Sequence, residues 1–413
     1  MDGPRKPPCP LPKPAEVLLY DFRPAPDQRP SIPQERPVKL LQWNIERGYK
    51  LDAVIKVLRE VDADVLALQE IDIHCERSGW EDTGLAIAKA LGLSYAFVCE
   101  FEELHSPLRS PDTQGGGVHG NAILSKYDIT DARAVEHSSH PVDWDLPPHL
   151  QPHPLAAKEP RHGRRLTAAA TVHTHQGPLL VYSAHLELSD LFRDTRLQQR
   201  RLGEQHPHQH QHHHHQQQVP QPATETPAAA ETPAAAPSVP APPPPPQACP
   251  AASPASPPAP PPPAPPAVLP SALLGDLNTL ANGVARLSPH YCTDWLRWGS
   301  LGWFEAEMLQ RKVLEVREPE PVNRWALRQG LPEATCRELV NPGYADPFNC
   351  RTDITFDHAK YRFLGHGFMT GKLDWVLLRG CRAVSRRMGN HDYSASDHKW
   401  LLVEVEVEVA LGG

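Results

Sequence analysis

The chain has 413 residues, a formal net charge of −8 and 49 prolines. It contains no run of five or six basic residues, which argues against a protein that holds long nucleic acid by its phosphates and leaves open a short oligonucleotide or a damaged end. Its eight cysteines are scattered without CxxC pairs, which excludes a typical zinc motif and a small secreted disulfide framework.

Repeated X-Pro steps at the start of the chain disfavour helix, so we predict a proline-rich disordered tail over residues 1–37. Regular structure is predicted to begin directly after this tail. Apolar residues at helical spacing predict helices over 51–61 and 85–91. Apolar-rich runs between breakers predict strands over 38–45, 62–70, 94–100, 121–126, 165–174 and 178–188, the last two as a hairpin.

A low-complexity segment then interrupts the chain over residues 203–270. It passes from a His/Gln run into nearly pure Pro and Ala, which cannot bury enough apolar surface to offset chain entropy. We therefore predict a long disordered insertion. The histidines between His206 and His215 could bind a transition metal, but a repeat-expanded surface loop is the plainer interpretation.

Strands are predicted to resume at once, over 271–279, 372–380 and 398–410. In the last of these, Val and Glu alternate from 403 to 409, the period of a strand with one wet face. Because strands outnumber helices and many helices lie between strands, we expect an α/β sandwich of two packed sheets. Residues 38–202 and 271–413 together have the size of one large domain.

Two expectations concern the setting of the protein. No window approaches 18 continuous apolar residues, so we expect no transmembrane segment. The start of the chain has no apolar leader, which favours an intracellular protein, cytoplasmic or nuclear. We also expect a monomer.

Several polar residues share an unusual position, at the end of a strongly apolar strand or directly after it: Asn44, Glu46, Glu70, Asp276, Asn278, Asp374 and Asp397. A charge in such a place is costly unless it is paired or bound to a cation. Carboxylates and amides gathered at one end of a sheet make an oxygen site suited to Mg²⁺. A strand-end cap is the simpler interpretation for any one of them alone, and it weakens as such residues accumulate.

The segments WNIE, LQE, HGNAILSK, SAHLEL, GDLNT, KLDWVLL and SDH occur in this order and resemble the endonuclease/exonuclease/phosphatase superfamily. The resemblance covers 38–202 and 271–400. It implies a DNase I-like four-layer α/β sandwich, in which two packed mixed β-sheets are flanked by helices. It also implies that 38–202 and 271–413 form one catalytic domain that loops out the insertion.

The resemblance implies the metal site as well. Glu70 would be the principal metal carboxylate, with Asn44 and Glu46 close by. Asp is common in relatives where Glu46 stands, so direct ligation by Glu46 is the weaker part of this set. Asp397 would be a further carboxylate on the metal side. The implied cofactor is Mg²⁺, with Mn²⁺ as an alternative.

The remaining implied roles concern the phosphate. Asp276 would position or deprotonate the attacking water, and Asn278 would donate to the developing phosphorane oxygens. His398 would contact the phosphate, with Asp374 orienting its ring. The -HL- at His185 resembles the DNase I, sphingomyelinase, phosphatase and deadenylase branches, and a core histidine is the alternative.

Other features are less specific. Arg164 and Arg165 precede the predicted hairpin and could reach a phosphate, although a solvated turn is equally compatible with them. We expect substrate selection in the loops over 100–120 and 281–371. The second of these loops contains an aromatic cluster for which we favour core packing over contact with substrate: Trp295, Trp298, Trp303 and Phe304.

The sequence therefore predicts a metal-dependent phosphoester hydrolase that uses direct attack by water. A Ser/His/Asp acyl-transfer site is excluded because no G-x-S-x-G motif is present. The substrate could be a nucleic-acid end, a nucleotide-like molecule or a lipid headgroup. The alternative hypothesis is a non-catalytic scaffold or interaction module on the same fold.

Overall fold

The computed structural model describes residues 10–29, 31–137, 144, 159–186, 269–279, 306, 309–310, 314–315, 341–357, 362–363, 366–367 and 370–408. The predicted insertion, up to residue 268, lies outside these residues. The same holds for the aromatic cluster of the second loop, which is Trp295, Trp298, Trp303 and Phe304.

The described residues form fifteen strands. In chain order they are β1 (Val17–Asp21), β2 (Val38–Asn44), β3 (Val65–Ile73), β4 (Ser94–Glu103), β5 (Val118–Ser125), β6 (Asp128–Glu136), β7 (Arg161–Gly163), β8 (Leu166–Thr174), β9 (Gly177–His185), β10 (Ser271–Asp276), β11 (Arg362–Phe363), β12 (His366–Gly367), β13 (Asp374–Arg379), β14 (Cys381–Gly389) and β15 (Trp400–Val407).

These strands build two large mixed sheets. The eight-stranded sheet has the order β1-β4-β5-β3-β2-β15-β14, with β7 paired to β4. The five-stranded sheet has the order β13-β10-β9-β8-β6, and β11 pairs with β12 separately. The parallel pairs are β2 with β3 and β9 with β10. Because β9 precedes the predicted insertion and β10 follows it, both sides of that segment belong to one sheet.

The two sheets pack face to face through alternate residues of their strands. On β2, Val38 and Leu40 belong to an apolar cluster that also contains Val181 of β9 and Leu274 of β10. The intervening residues of β2 face the other way and join a second cluster, which includes Trp43. Removing both faces of β2 from water is a main source of stability, at roughly 1.5–3 kcal/mol for each large apolar side chain.

Two α-helices cover the outer face of the eight-stranded sheet, α1 (Leu51–Val61) and α2 (Thr83–Leu91). Helix α2 begins where the Asp82 side chain accepts a hydrogen bond from the Leu85 amide at 2.8 Å. It ends where Gly92 adopts a left-handed conformation with φ +64°.

The outer face of the five-stranded sheet is also covered. Tyr182 and Trp375 pack there against Leu309, Leu314 and other residues between 306 and 350. The layer order confirms the predicted sandwich of two packed mixed sheets. No helix in the described part of the chain has the length and apolar character that a membrane crossing requires.

Six of the fifteen strands were not predicted, and three of these, β7, β11 and β12, have only two or three residues. Residues 17–21, inside the predicted disordered tail, form β1 and pair with β4, so the prediction of a tail over 1–37 is wrong there. Strands β6 and β14 are edge strands, and most residues of each are exposed or half-buried. An edge strand with little buried surface lacks the apolar run by which the other strands were found.

Candidate active site

Polar side chains lie together at one end of the space between the two sheets, because alternate residues of each strand face that space. The residues that face the opposite sheet are apolar along most of each strand, such as Val376 on β13. At the strand ends the same faces present Asn44, His185, Asp276 and Asp374, all buried. Asp276 is paired in register with His185 on one side and with Asp374 on the other. Three predicted site residues thus lie side by side.

Gly275 makes this arrangement possible on β10. A Cβ atom at this position would lie 2.2 Å from the carbonyl oxygen of Ala184 on β9. Only glycine therefore lets β10 approach β9 closely enough to hold Asp276 beside His185.

Asp374 and His398 form the central contact of the site. The Nδ1 atom of His398 lies 2.8 Å from Oδ2 of Asp374, and both residues are buried. Burial opposes the charge of His398, but Asp374 and Asp276 raise its pKa well above the usual value. This environment favours the cationic ring, in which Nδ1–H donates to Asp374 and Nε2–H faces Asp276 Oδ2 at 3.7 Å.

His185 lies near the same oxygen atom of Asp276, but its ring is neutral, unlike that of His398. Its Nε2 lies 3.6 Å from Asp276 Oδ2, and its Nδ1 lies 3.0 Å from an Nη1 atom of Arg165. Because arginine only donates, Nδ1 accepts, and the proton of the neutral ring is on Nε2. Burial, followed by the charge of Arg165, lowers the pKa of His185 well below its usual value.

Asp276 has an environment that favours its neutral form. Burial raises its pKa to about 7, an effect that the nearby Asp374 carboxylate reinforces and the His398 cation opposes. Its Oδ2 accepts a hydrogen bond from Asn44 Nδ2 at 3.1 Å, and its Oδ1 accepts one from the Asn278 amide at 2.8 Å. A carboxylate whose pKa lies near neutral pH can both take up and release a proton.

Buried amides support this group from the large sheet. Gln42 donates from Nε2 to Asp374 Oδ1 and to Gln69 Oε1, both at 2.8 Å. Gln69 in turn donates to the hydroxyl of Ser183 on β9 at 2.9 Å. These bonds connect the two sheets and fix the position of the Asp374 carboxylate.

Asn278 lies directly after β10 in a left-handed conformation with φ +51°. Its side-chain Nδ2 donates to the carbonyl of Leu186 at 2.5 Å. The amide has two N–H bonds, so this contact uses one of them. Asn278 is therefore held between the ends of β9 and β10, next to Asp276.

Two carboxylates lie at bulges on either side of β5. On β3 the pairing passes from Leu68 to Ile71 with two residues, Gln69 and Glu70, opposite one on β5. On β4 it passes from Cys99 to Phe101, which leaves Glu100 as the extra residue. Bulges of this kind re-aim side chains next to active sites.

Glu70 lies beside the hydrogen-bonded group rather than within it. Its backbone is left-handed, with φ +61°, and its side chain is 17 % exposed. Its Oε2 is 3.7 Å from Nε of Arg47. Glu46 follows β2 and donates its backbone amide to Asn44 Oδ1 at 3.0 Å. Asp397 is 13 % exposed, with Oδ1 at 3.9 Å from His398 Nε2.

Two clusters of possible metal ligands occur among the described residues: Asp276, Asp374 and His398, and Glu100, His119 and His185. The second is already bridged by a cation, since Arg165 Nη1 lies 2.8 Å from Glu100 and 3.0 Å from His185. In the first, His398 is bonded through Nδ1 to Asp374. Neither cluster is therefore the best place for a metal ion.

The partly exposed oxygen donors fit a hard cation better. Glu70 and Asp397 keep some solvent access, which suits Mg²⁺ because it retains several waters when bound. Asn44 Oδ1 accepts one bond and has a second lone pair. Glu46 is half-buried next to them. The predicted metal-site residues thus provide only oxygen atoms.

Sequence reasoning missed some members of the site. Glu100 and His119 were not predicted as site residues: Glu100 lies in an apolar strand outside any motif, and His119 opens the HGNAILSK segment but was given no role. For Arg165 the sequence allowed either a phosphate contact or a solvated turn. The side chain is 12 % exposed and contacts both Glu100 and His185. Arg164 is 49 % exposed and pairs with Glu136.

The chain was compared with solved structures, curated proteins and family models. Three solved structures show low similarity to the chain. An endonuclease/exonuclease/phosphatase from Beutenbergia cavernae DSM 12333 is 14% identical, with a TM-score of 0.46 over 91% of this chain and 73% of that one. A family protein from Leptotrichia buccalis C-1013-b is 12% identical, with a TM-score of 0.42 over 89% and 99%.

The third structure is ANGEL2, a 2',3'-cyclic phosphatase, at 11% identity and a TM-score of 0.45 over 95% of this chain and 99% of that one. A search of the curated proteins found no match. The model of the Endonuclease/Exonuclease/phosphatase family matches residues 41–398, a range that contains every predicted site residue. The chain therefore belongs to the endonuclease/exonuclease/phosphatase family.

Proposed function

We propose that this protein is a Mg²⁺-dependent phosphoester hydrolase in which water attacks the phosphorus directly. Members of the family are typically hydrolases that act on phosphoesters. The observation that carries the proposal for this chain is the position of Asp276 Oδ2. It lies within 3.7 Å of Nε2 of both His185 and His398 and accepts a hydrogen bond from Asn44.

Asp276 acts as the base in this proposal. It takes a proton from the water as the oxygen of that water bonds to phosphorus and the bond to the leaving oxygen breaks. A pKa of about 7 suits this role, since a base is most effective when its pKa is near the working pH. Asn44 and the Asn278 backbone amide hold the carboxylate in place.

His398 and Asn278 stabilise the charge that develops on the phosphate oxygens. The cationic His398 ring is fixed by Asp374 and can donate from Nε2. Asn278 offers the N–H that does not bond Leu186. Donors that are in position before the reaction lower its barrier, because they need no reorganisation in the transition state. The neutral His185 offers a further Nε2–H on the other side of Asp276.

Glu70, Asn44, Glu46 and Asp397 would hold the metal ion. When bound, Mg²⁺ would neutralise charge on a phosphate oxygen and stabilise the leaving oxygen, and Mn²⁺ could replace it. The ligands are oxygen atoms and two of the carboxylates have solvent access, which supports a hard cation with retained waters.

The substrate remains a class: a nucleic-acid end, a nucleotide-like molecule or a lipid headgroup. The test is to incubate the full chain with Mg²⁺ and a panel of DNA, RNA, nucleotide, inositol and sphingolipid phosphoesters. Asp276→Asn and Glu70→Gln are the key variants. Matched controls are Asp131→Asn and Glu102→Gln, which change exposed carboxylates on β6 and β4.

We expect turnover of at least one substrate by wild type and by both controls, and its loss on chelation of the metal. Asp276→Asn and Glu70→Gln should lower kcat by about 10²–10⁴-fold. If neither variant loses activity, the assigned mechanism is wrong. If wild type turns over none of the panel, the non-catalytic interaction module becomes the better hypothesis.

A further inference from the structure

Arg47 is a cation at the edge of the proposed metal site. It lies in the turn after β2, where Glu46, Arg47 and Gly48 all have positive φ, at +48°, +59° and +70°. The turn brings Nε of Arg47 to 3.7 Å from Oε2 of Glu70. Left-handed conformation is unfavourable for the two non-glycine residues of this turn, and such strain is concentrated at functional sites.

Neighbouring arginines have closer carboxylate partners than Arg47 has. Arg77 is fully buried and lies 2.8 Å from Asp72 and 2.9 Å from Glu103. Arg109, which is 1 % exposed, lies 2.8 Å from Glu103. These pairs neutralise their charges within the protein. Arg47 is different, because the carboxylate nearest to it is the one we assign to the metal.

The hydrogen bonds of Arg47 are also incomplete. Its Nη1 donates to the Tyr49 hydroxyl at 3.2 Å, whereas its buried Nε has no hydrogen-bond partner in the structure. An unsatisfied buried donor on a charged group is costly, so a ligand that accepts from the Arg47 guanidinium binds favourably.

A metal ion on Glu70 would compete with Arg47 for the charge of that carboxylate. Arg47 would then keep only the weaker influence of Glu159 to balance its charge. The phosphate that is hydrolysed lies, in the proposed mechanism, at Asp276, Asn278 and His398. Arg47 lies in the turn after β2, and its charge acts on His185, whose Nε2 is 3.6 Å from Asp276 Oδ2.

We propose that Arg47 binds a second phosphate group of the substrate, adjacent to the phosphoester that is hydrolysed. This inference rests on the proposed function and deepens it, since it narrows the substrate to a phosphoester that bears a further phosphate. Guanidinium groups suit this role because their planar donors match phosphate oxygens. A lipid headgroup or oligonucleotide end with a single phosphate would have no phosphate for Arg47 to bind.

The test is to measure binding of inorganic phosphate and inorganic pyrophosphate to the full chain by calorimetry, with Mg²⁺ in excess. Wild type should bind pyrophosphate about tenfold or more tightly than phosphate, the effect of one charge-assisted contact. Arg47→Gln should reduce this ratio to about one, and Arg47→Lys should restore part of it. The control is Arg382→Gln, an exposed arginine at the opposite sheet edge that pairs with Glu406.

The inference is overturned if wild type shows no preference for pyrophosphate, or if the preference persists in Arg47→Gln. Thermal melts of each variant show whether it is folded. Because the readout is binding, the two proposals fail separately. If the preference for pyrophosphate is lost in Arg47→Gln but no ester is turned over, only the proposed function is wrong. Turnover without a preference would sink only the second phosphate site.

Discussion

His398 places its Nδ1 atom 2.8 Å from Oδ2 of Asp374, in a pair that is buried on both sides. The carboxylate fixes which ring nitrogen faces the pocket and keeps the ring charged. Asp374 is itself held by Gln42 through its other oxygen. The orientation of the imidazole is therefore determined by strands of both sheets, β2 and β13.

The first prediction concerns this pair. Asp374→Asn should lower kcat for a phosphoester substrate by about 10²–10⁴-fold, because an amide cannot hold His398 charged and can impose the wrong tautomer. The shape of the side chain is kept, so the melting temperature should change by only a few degrees. Steady-state kinetics and a thermal melt measure both. Full activity in this variant would show that the pair has no role in catalysis.

The second prediction concerns the buried Glu100. Arg165→Met should cost about 2–4 kcal/mol of unfolding free energy, because it leaves that carboxylate without its partner at 2.8 Å. The double variant with Glu100→Gln should recover part of the loss, since the uncompensated charge is gone. Urea denaturation of the two single variants and the double variant gives the coupling. Strict additivity would mean that the two side chains do not interact.

The third prediction is a dependence of stability on pH. Burial raises the pKa of Asp72, but Arg77 and His119 together lower it, and the result is about 2. A carboxyl with a depressed folded-state pKa stabilises the fold above its unfolded pKa and loses that contribution as the pH falls through the folded value. Asp72 should therefore contribute about 2 kcal/mol at neutral pH, lost between about pH 4 and pH 2.

The measurement compares the unfolding free energy of wild type and Asp72→Asn over this acidic range. The difference between them should shrink as the pH falls, because protonated Asp72 resembles asparagine in charge. A constant difference at all pH values would contradict a role for the Asp72 charge.

The fourth prediction concerns Gly275. Gly275→Ala should destabilise the protein by about 1–3 kcal/mol, because its Cβ would overlap the Ala184 carbonyl and force β10 away from β9. Activity should fall at least tenfold, since Asp276 moves with the strand. Gly79→Ala is the comparison, as no atom lies within 4 Å of its Cβ. It should cost about 1 kcal/mol for its positive φ and leave activity unchanged.

Most of the core and much of the site follow from sequence pattern. Strands with buried apolar runs, such as 38–45, were predicted at nearly their observed bounds, and helix 51–61 matches α1. Strand-end polar residues were recognisable because a charge after an apolar run is costly. Asn44, Asp276 and Asp374 lie together as expected, and the roles assigned to them stay predictions until the variants are measured.

The rest depends on tertiary structure. Glu100 lies within an apolar strand where nothing local marks it, and His119 opens the HGNAILSK segment without a sign of its partners. Only the approach of β4, β5 and β9 brings the two residues together with His185. The bulges at Glu70 and Glu100 are also not visible in the hydrophobic pattern. Ile71 and Ile73 both pack toward the helices because the alternation of β3 shifts by one residue at Glu70.

The two bulges carry site carboxylates on residues that the pairing of the strands does not use. Glu70 and Glu100 are supernumerary residues: β3 and β4 could pair with β5 on either side without them. A chain that lacked residue 70 would keep a regular ladder and lose only the carboxylate assigned to the metal. The carboxylate proposed to hold the metal is therefore carried by a residue that the pairing of the strands does not require.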